Sequence, residues 1–301
     1  MIPRPTFSRR SVLLGGLATV AAACGGGNGD SATPAVQTDD GTVFLQPGFA
    51  DGLRSRPFLV AGRELVAPIF LAGGTGRPLQ VDEIPASIDL EIRQGDQVVS
   101  TQTLPVRGDG ILTPHYSPVF DVDVAGDFDA VSIIGGNAVG FSFRVGEAGE
   151  TGHVQLGDTL RPVDTPTFAE PAGVDPVCTQ LPDPCPFHEM TLTDAIGSGR
   201  PIVYLVATPA FCQTAICGPV VGMLTDRLAG RDDVAVVHAE VYRSVDVALT
   251  PDGVTESVTV YDLDYEPMQL CADAGGVVRS RLDFAWDTTE LDRALAAIGI
   301  S

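Results

Sequence analysis

Period-two alternation governs the first half of the chain and limits what that half can fold into. In Ser87-Ile88-Asp89-Leu90-Glu91-Ile92-Arg93 apolar residues fill every second position, and residues 120–124 and 139–145 repeat the pattern. Successive side chains of a strand point to opposite faces, so each run has one wet face and one buried face. Turn residues separate the runs: Gly73-Gly74, Gln94-Gly95-Asp96, Gly108-Asp109-Gly110, Gly126-Asp127 and Gly135-Gly136-Asn137. Residues 41–150 are therefore expected to form an all-β, immunoglobulin-like sandwich. They carry no cysteine, no metal-ligand cluster and no nucleophile–base pair, which points to a structural or partner-binding module.

Residues 151–188 read as a Pro-rich linker, with seven prolines from Pro162 to Pro186. Beyond them the pattern changes. Leu192–Ile196 suits a short helix. Pro201–Ala207 is a continuous apolar run of strand length, the mark of a strand buried on both faces. A helix is expected from Pro219 to Ala229, a second buried strand over 234–241 and a short helix over 254–261. Strands Met268–Ala272 and 277–284 follow, joined by the turn Asp273-Ala274-Gly275-Gly276. A last helix runs from Thr288 to Ile298. Asp287 before it and Glu290 three residues later resemble a capping box.

Three stretches of residues 189–301 carry a family resemblance. A buried strand leads through Ala207-Thr208 into a cysteine-containing turn and a helix. Glu266-Pro267 precedes the strand Met268–Ala272. The turn at Asp273 joins the last two strands. This arrangement resembles the thioredoxin-like family, especially membrane-tethered thiol:disulfide oxidoreductases of the TlpA/ResA kind. The resemblance implies an α/β thioredoxin-like fold, thiol–disulfide exchange without an organic cofactor or metal, and a substrate-binding role for Pro267 at the family's cis-proline position.

The cysteine motif departs from the family's Cys-x-x-Cys. Here Cys212 and Cys217 are separated by four residues. Positions i and i+5 lie on different sides of a helix, so Cys212 must precede the helix if the two sulfurs are to join. Pro219 suits a first helical turn, which places Cys217 near a helix N-terminus, where backbone amides stabilise a thiolate. That favours Cys217 as the more reactive sulfur, while the family's first cysteine favours Cys212. Both remain open at this point. Glu240, on the second buried strand, is the nearest acid–base candidate and reads more simply as a strand-end surface carboxylate.

Residues 1–24 read as an export signal. Arg9-Arg10 resembles a twin-arginine signal, an apolar stretch follows, and Ala21-Ala22-Ala23-Cys24 resembles a bacterial lipobox in which Cys24 is acylated. Residues 25–40 form a Gly-rich tether. The expected location is the extracytoplasmic face of the cell membrane, with a lipid on Cys24 as anchor and exported protein thiols or disulfides as partners. The net charge of −21, with no cluster of arginines to capture phosphates, argues against nucleic acid as a partner.

Outside the cytoplasm disulfides persist, so Cys178 and Cys185, which enclose six residues in the Pro-rich segment, are expected to form a structural disulfide. A metal site using Cys178, Cys185 and His188 lacks a fourth ligand of convincing spacing. Cys271, mid-strand, reads as a buried inert thiol. Three rival readings compete with thiol–disulfide exchange. Thr214-Ala215-Ile216-Cys217 fits the Thr-x-x-Cys of a peroxiredoxin-like thiol peroxidase, with Arg243 or Arg279 as the required cation. A Sco-like copper carrier would need a different cysteine spacing, with His238 as the only histidine after the pair. A non-catalytic exported lipoprotein would use the Cys212–Cys217 pair as a staple.

Overall fold

Period-two runs become strands in the first half of the chain, nine of them among the described residues. In this computed structural model, which describes residues 42–53, 56–212, 215–248 and 250–301, they are β1 (Val43–Pro47), β2 (Leu59–Val60), β3 (Gly62–Val66), β4 (Ile69–Gly73), β5 (Ser87–Gln94), β6 (Gln97–Pro105), β7 (Val119–Val122), β8 (Gly126–Ile134) and β9 (Asn137–Gly146). A five-stranded sheet has the order β2-β9-β8-β5-β6, and two ribbons pair β1 with β4 and β3 with β7. The inward side chains are those the alternation selects: Ile88, Leu90 and Ile92 of β5 and Phe128 and Ala130 of β8 are buried together with Ile69, Leu71, Tyr116 and Phe143.

The second half forms one four-stranded sheet, β11-β10-β12-β13, from β10 (Ile202–Val206), β11 (Ala235–Ala239), β12 (Met268–Ala272) and β13 (Val278–Asp283). Strands β10 and β11 are parallel, and β12 runs antiparallel to both β10 and β13. Four helices accompany it: α1 (Leu192–Gly197), α2 (Cys217–Leu228), α3 (Glu256–Val260) and α4 (Thr288–Ala296). The unbroken apolar run of β10 has a direct cause. Val203 and Leu205 pack on the α2/α4 side with Val220, Leu224 and Leu291, while Ile202, Tyr204 and Val206 pack on the other side with Leu192 and Tyr261. Both faces are dry, so no polar residue interrupts the strand.

The expected fold class is corrected. Among the described residues strand accounts for 35% and helix for 13%, arranged in several sheets with a curled half-barrel, and the helices are too few and too late in the chain for an α/β thioredoxin-like fold. The physical reason lies in the lengths. Helices α1 and α3 have six and five residues, whereas the alternating runs upstream supply strands of eight to ten residues. Those strands do not face one another as an immunoglobulin-like sandwich, because the partners of the central sheet are two separate two-stranded ribbons. The Pro-rich segment is not a free connection either: Val154, Leu160 and Val163 are buried against the second sheet.

All described residues belong to one compact unit, Thr33–Ser301. Its two halves meet along a seam where Thr288 donates to Asp109 at 2.6 Å and the Gly108 N–H donates to Asp287 at 3.3 Å. No described helix is long and apolar enough to cross a membrane. The export signal, Cys24 and the tether lie outside the described residues.

Candidate functional site

Two cysteine clusters sit side by side at the C-terminal ends of β10 and β11. The first forms where β10 ends. Thr208 closes a turn by accepting the Phe211 and Cys212 amides at 3.1 Å. The chain then passes through Ala215, in the left-handed region at φ 55, and enters α2 at Cys217. Cys212 therefore lies outside the helix and Cys217 at its first position. The Cys217 N–H donates to Cys212 Sγ at 3.3 Å. The helix start thus serves the sulfur of Cys212, which is half-buried, whereas Cys217 is fully buried.

Glu266 completes this cluster from two residues before β12. Its Oε2 accepts the Thr208 N–H at 2.6 Å and lies 3.6 Å from Cys217 Sγ. Burial pushes the Glu266 carboxyl up to about 7. The Cys217 thiol is pushed up by its contact with Cys212, then by burial and by the Glu266 charge. Contact with Cys212, burial and the Glu266 charge thus oppose the pull of the helix start on Cys217. The Glu266–Pro267 peptide bond is cis. A groove of about 560 Å³ runs past Ile216 and Glu266 between the two halves, lined also by Phe49, Phe70 and Phe284. A larger hollow of about 680 Å³, beside β3 and β13, lies away from the cysteines.

The second cluster gathers Cys178, Cys185, His188 and His238. Cys178 and Cys185 are not joined: their sulfurs stand 3.7 Å apart. The disulfide expected there is replaced by two thiols facing two imidazoles. The Cys185 contact, then the histidines, lower the Cys178 thiol. His238 enters from the last residue but one of β11 and His188 from the chain before α1. Glu240, two residues after His238, is buried rather than a surface group, and accepts the Thr179 N–H at 2.6 Å and the Thr179 hydroxyl at 3.0 Å.

Glu266, read in the sequence only as the neighbour of Pro267, and His238, read only as the histidine after the cysteine pair, are the residues whose place in these clusters the sequence does not disclose. Each left a faint signal: Glu266 stands directly before the singled-out proline, and His238 is the lone polar residue of an otherwise apolar strand. Cys271 is fully buried, accepts a hydrogen bond from Gln269 at 3.5 Å, and its thiol is pushed by burial to about 12. The cations proposed for peroxide chemistry are engaged elsewhere: Arg279 pairs with Asp273 and Arg243 donates to the Val254 carbonyl.

No protein-family model matches the chain, and no curated protein matches its sequence. A solved crystal structure of an engineered protein is similar over a limited stretch, at 16% identity and a TM-score of 0.24. The match covers 36% of this chain, and the chain spans 20% of that protein's length.

Proposed function

We propose that the protein performs thiol–disulfide exchange with exported protein thiols or disulfides through Cys212 and Cys217, with Glu266 as the proton acceptor and donor. The observation that carries this reading is the 3.6 Å approach of Cys217 Sγ to a buried carboxylate oxygen of Glu266. A buried thiol is a poor nucleophile until a base removes its proton, and a carboxyl near 7 is suited to that work at neutral pH.

In the reducing direction, the Cys212 thiolate attacks one sulfur of a partner disulfide. The partner bond breaks, a Cys212–partner mixed disulfide forms, and the other partner sulfur leaves as a thiolate that takes a proton from water. Glu266 then accepts the Cys217 proton. The Cys217 sulfur attacks Cys212 Sγ, forming the Cys212–Cys217 disulfide and releasing the second partner thiolate, which Glu266 protonates. Two electrons pass from the cysteine pair to the partner disulfide, and no organic cofactor is needed. The oxidising direction is the reverse. The groove beside Ile216 and Glu266 offers apolar walls to a partner segment. Acylation at Cys24 would hold this chemistry at the extracytoplasmic membrane face.

The test is a redox titration of the full chain in dithiothreitol buffers, with mass-spectrometric mapping of Cys212 and Cys217. A midpoint above about −300 mV, in the range of exchanging disulfides, is expected. A lower midpoint, or a reduced protein whose Cys212 resists alkylation, overturns the reading and leaves the pair a structural bond.

A further inference from the structure

The second cluster does not take part in this exchange, and its geometry answers a different question. Its four ligand atoms, Cys178 Sγ, Cys185 Sγ, His188 Nε2 and His238 Nδ1, all lie within 4.8 Å of one another. The two sulfurs are 3.7 Å apart. His238 Nδ1 is 3.3 Å from Cys185 Sγ, 3.9 Å from Cys178 Sγ and 3.0 Å from His188 Nε2. A tetrahedral ion with metal–sulfur bonds of about 2.3 Å and metal–nitrogen bonds of about 2.05 Å would set sulfur–sulfur, sulfur–nitrogen and nitrogen–nitrogen separations of about 3.8, 3.6 and 3.3 Å. The four observed separations, 3.0 to 3.9 Å, lie near that set. A disulfide needs its sulfurs about 2.05 Å apart and gives two imidazoles no reason to converge on it.

The surroundings are those of a closed metal site. The residues are 5, 2, 1 and 0% exposed in the order Cys178, Cys185, His188, His238. His238 Nε2 lies 2.9 Å from the Ala207 carbonyl, which assigns the ring proton to Nε2 and leaves a lone pair on Nδ1, directed at the sulfurs. The Cys185 N–H donates to Cys178 Sγ at 3.3 Å, a backbone bond that suits a sulfur carrying negative charge. Burying these groups together without a cation would leave facing lone pairs and sulfurs in an apolar core.

We propose that Cys178, Cys185, His188 and His238 bind one zinc(II) ion in a tetrahedral site of two sulfurs and two nitrogens. This replaces the expectation that the chain holds no metal. With four protein ligands no position is left for substrate, so the ion is structural. It fastens the Pro-rich segment to β11, where the His238 N–H also donates to the Phe187 carbonyl at 2.9 Å. The two thiols of the site are thereby withdrawn from exchange with Cys212 and Cys217.

The test is the metal content of the full chain, purified without chelator, measured by inductively coupled plasma mass spectrometry. About one zinc per chain is expected. Replacement by cobalt(II) in the wild-type protein is expected to give the visible bands of a tetrahedral site and a thiolate-to-cobalt charge-transfer band. Cys178→Ser and His238→Ala are expected to lose both, and the Cys212→Ser/Cys217→Ser double variant to keep both. Metal absent even after incubation with excess zinc, a Cys178–Cys185 disulfide in the protein as isolated, or copper or iron in place of zinc overturns the proposal. So does loss of zinc in the Cys212/Cys217 double variant with retention in Cys178→Ser. The cobalt spectrum of the wild-type protein decides the matter if the single variants fail to fold.

Discussion

Glu290 Oε2 lies 2.8 Å from His115 Nε2, joining α4 to the segment between β6 and β7, with both side chains buried. The same carboxylate closes the helix cap by accepting the Asp287 N–H at 3.0 Å. Burial pushes the Glu290 carboxyl up, but the hydrogen bond and charge of His115 outweigh it and hold it below the ordinary value of 4.5. A carboxyl lowered by folding stabilises the native state above its unfolded value, and that contribution disappears as the pH falls through the folded value. Acid unfolding should therefore draw on this pair at pH below about 4.5, and Glu290→Gln should flatten that part of the profile. At neutral pH His115→Ala strands a buried charge and is expected to cost about 3 kcal/mol in urea denaturation. A loss under about 1 kcal/mol would mean the pair does not secure the seam.

Glu266→Gln removes the base beside Cys217 while keeping an oxygen for the Thr208 amide. Single-turnover release from the mixed disulfide is expected to slow by about 100-fold or more. The base works when ionised, so the wild-type release rate should climb through about pH 7, and the variant should show no such rise. The groups facing this carboxyl are Cys212, Cys217 and Glu240. Stability gives a second readout with a fixed sign. A carboxyl raised by burial binds its proton more tightly in the folded state, so wild-type stability falls as pH climbs from 4.5 to about 7. The glutamine variant should lose that slope. Equal release rates in the two proteins at all pH values would remove Glu266 from the mechanism.

The two sulfurs should behave unequally. Cys212 is half-buried and receives the first amide of α2, whereas Cys217 is fully buried in the core that Val220 and Cys271 also belong to. Alkylation of the reduced protein is expected to modify Cys212 at least about tenfold faster than Cys217. Cys217→Ser should accumulate a mixed disulfide on Cys212, and Cys212→Ser should accumulate none. Trapping on Cys217 instead would reverse the assignment.

The contrast between these residues shows what a sequence discloses. The dry strand β10 was legible because a strand buried on both faces admits no alternation. The cap of α4 was legible because Asp287 and Glu290 lie three residues apart and satisfy each other locally. The sheet partners were not: alternation fixes which face of a strand is wet but not which strand lies beside it. Thus β1 pairs β4, β3 pairs β7 and β2 runs parallel to β9 without a local signal. The same limit hid the metal cluster. Cys178, Cys185 and His188 are near in sequence, but His238 reaches them only because β11 lies against that segment. Six intervening residues in a Pro-rich stretch suit a disulfide as well as a pair of ligands. Glu266 was hidden by its neighbour, since the proline drew the functional reading to itself.

Thr179 links the two cysteine clusters and permits a test of whether one supports the other. It follows Cys178 directly. Its hydroxyl donates to Glu240 and accepts the Ala210 N–H at 3.1 Å, two residues before Cys212. The loop that carries a zinc ligand is thereby tied to the turn that carries the exchanging sulfur. Thr179→Val keeps the shape but removes the hydroxyl, leaving buried Glu240 with one donor fewer and the Ala210 amide without its acceptor. Such a loss costs about 1–3 kcal/mol where the group is buried. The variant is expected to unfold at lower urea concentration, to keep its zinc, and to show faster alkylation of Cys212 as the turn loosens. Thr179→Ser restores the hydroxyl and should restore both the stability and the alkylation rate. If Thr179→Val destabilises the protein but leaves Cys212 alkylation unchanged, the tie serves the fold alone and the two clusters act independently.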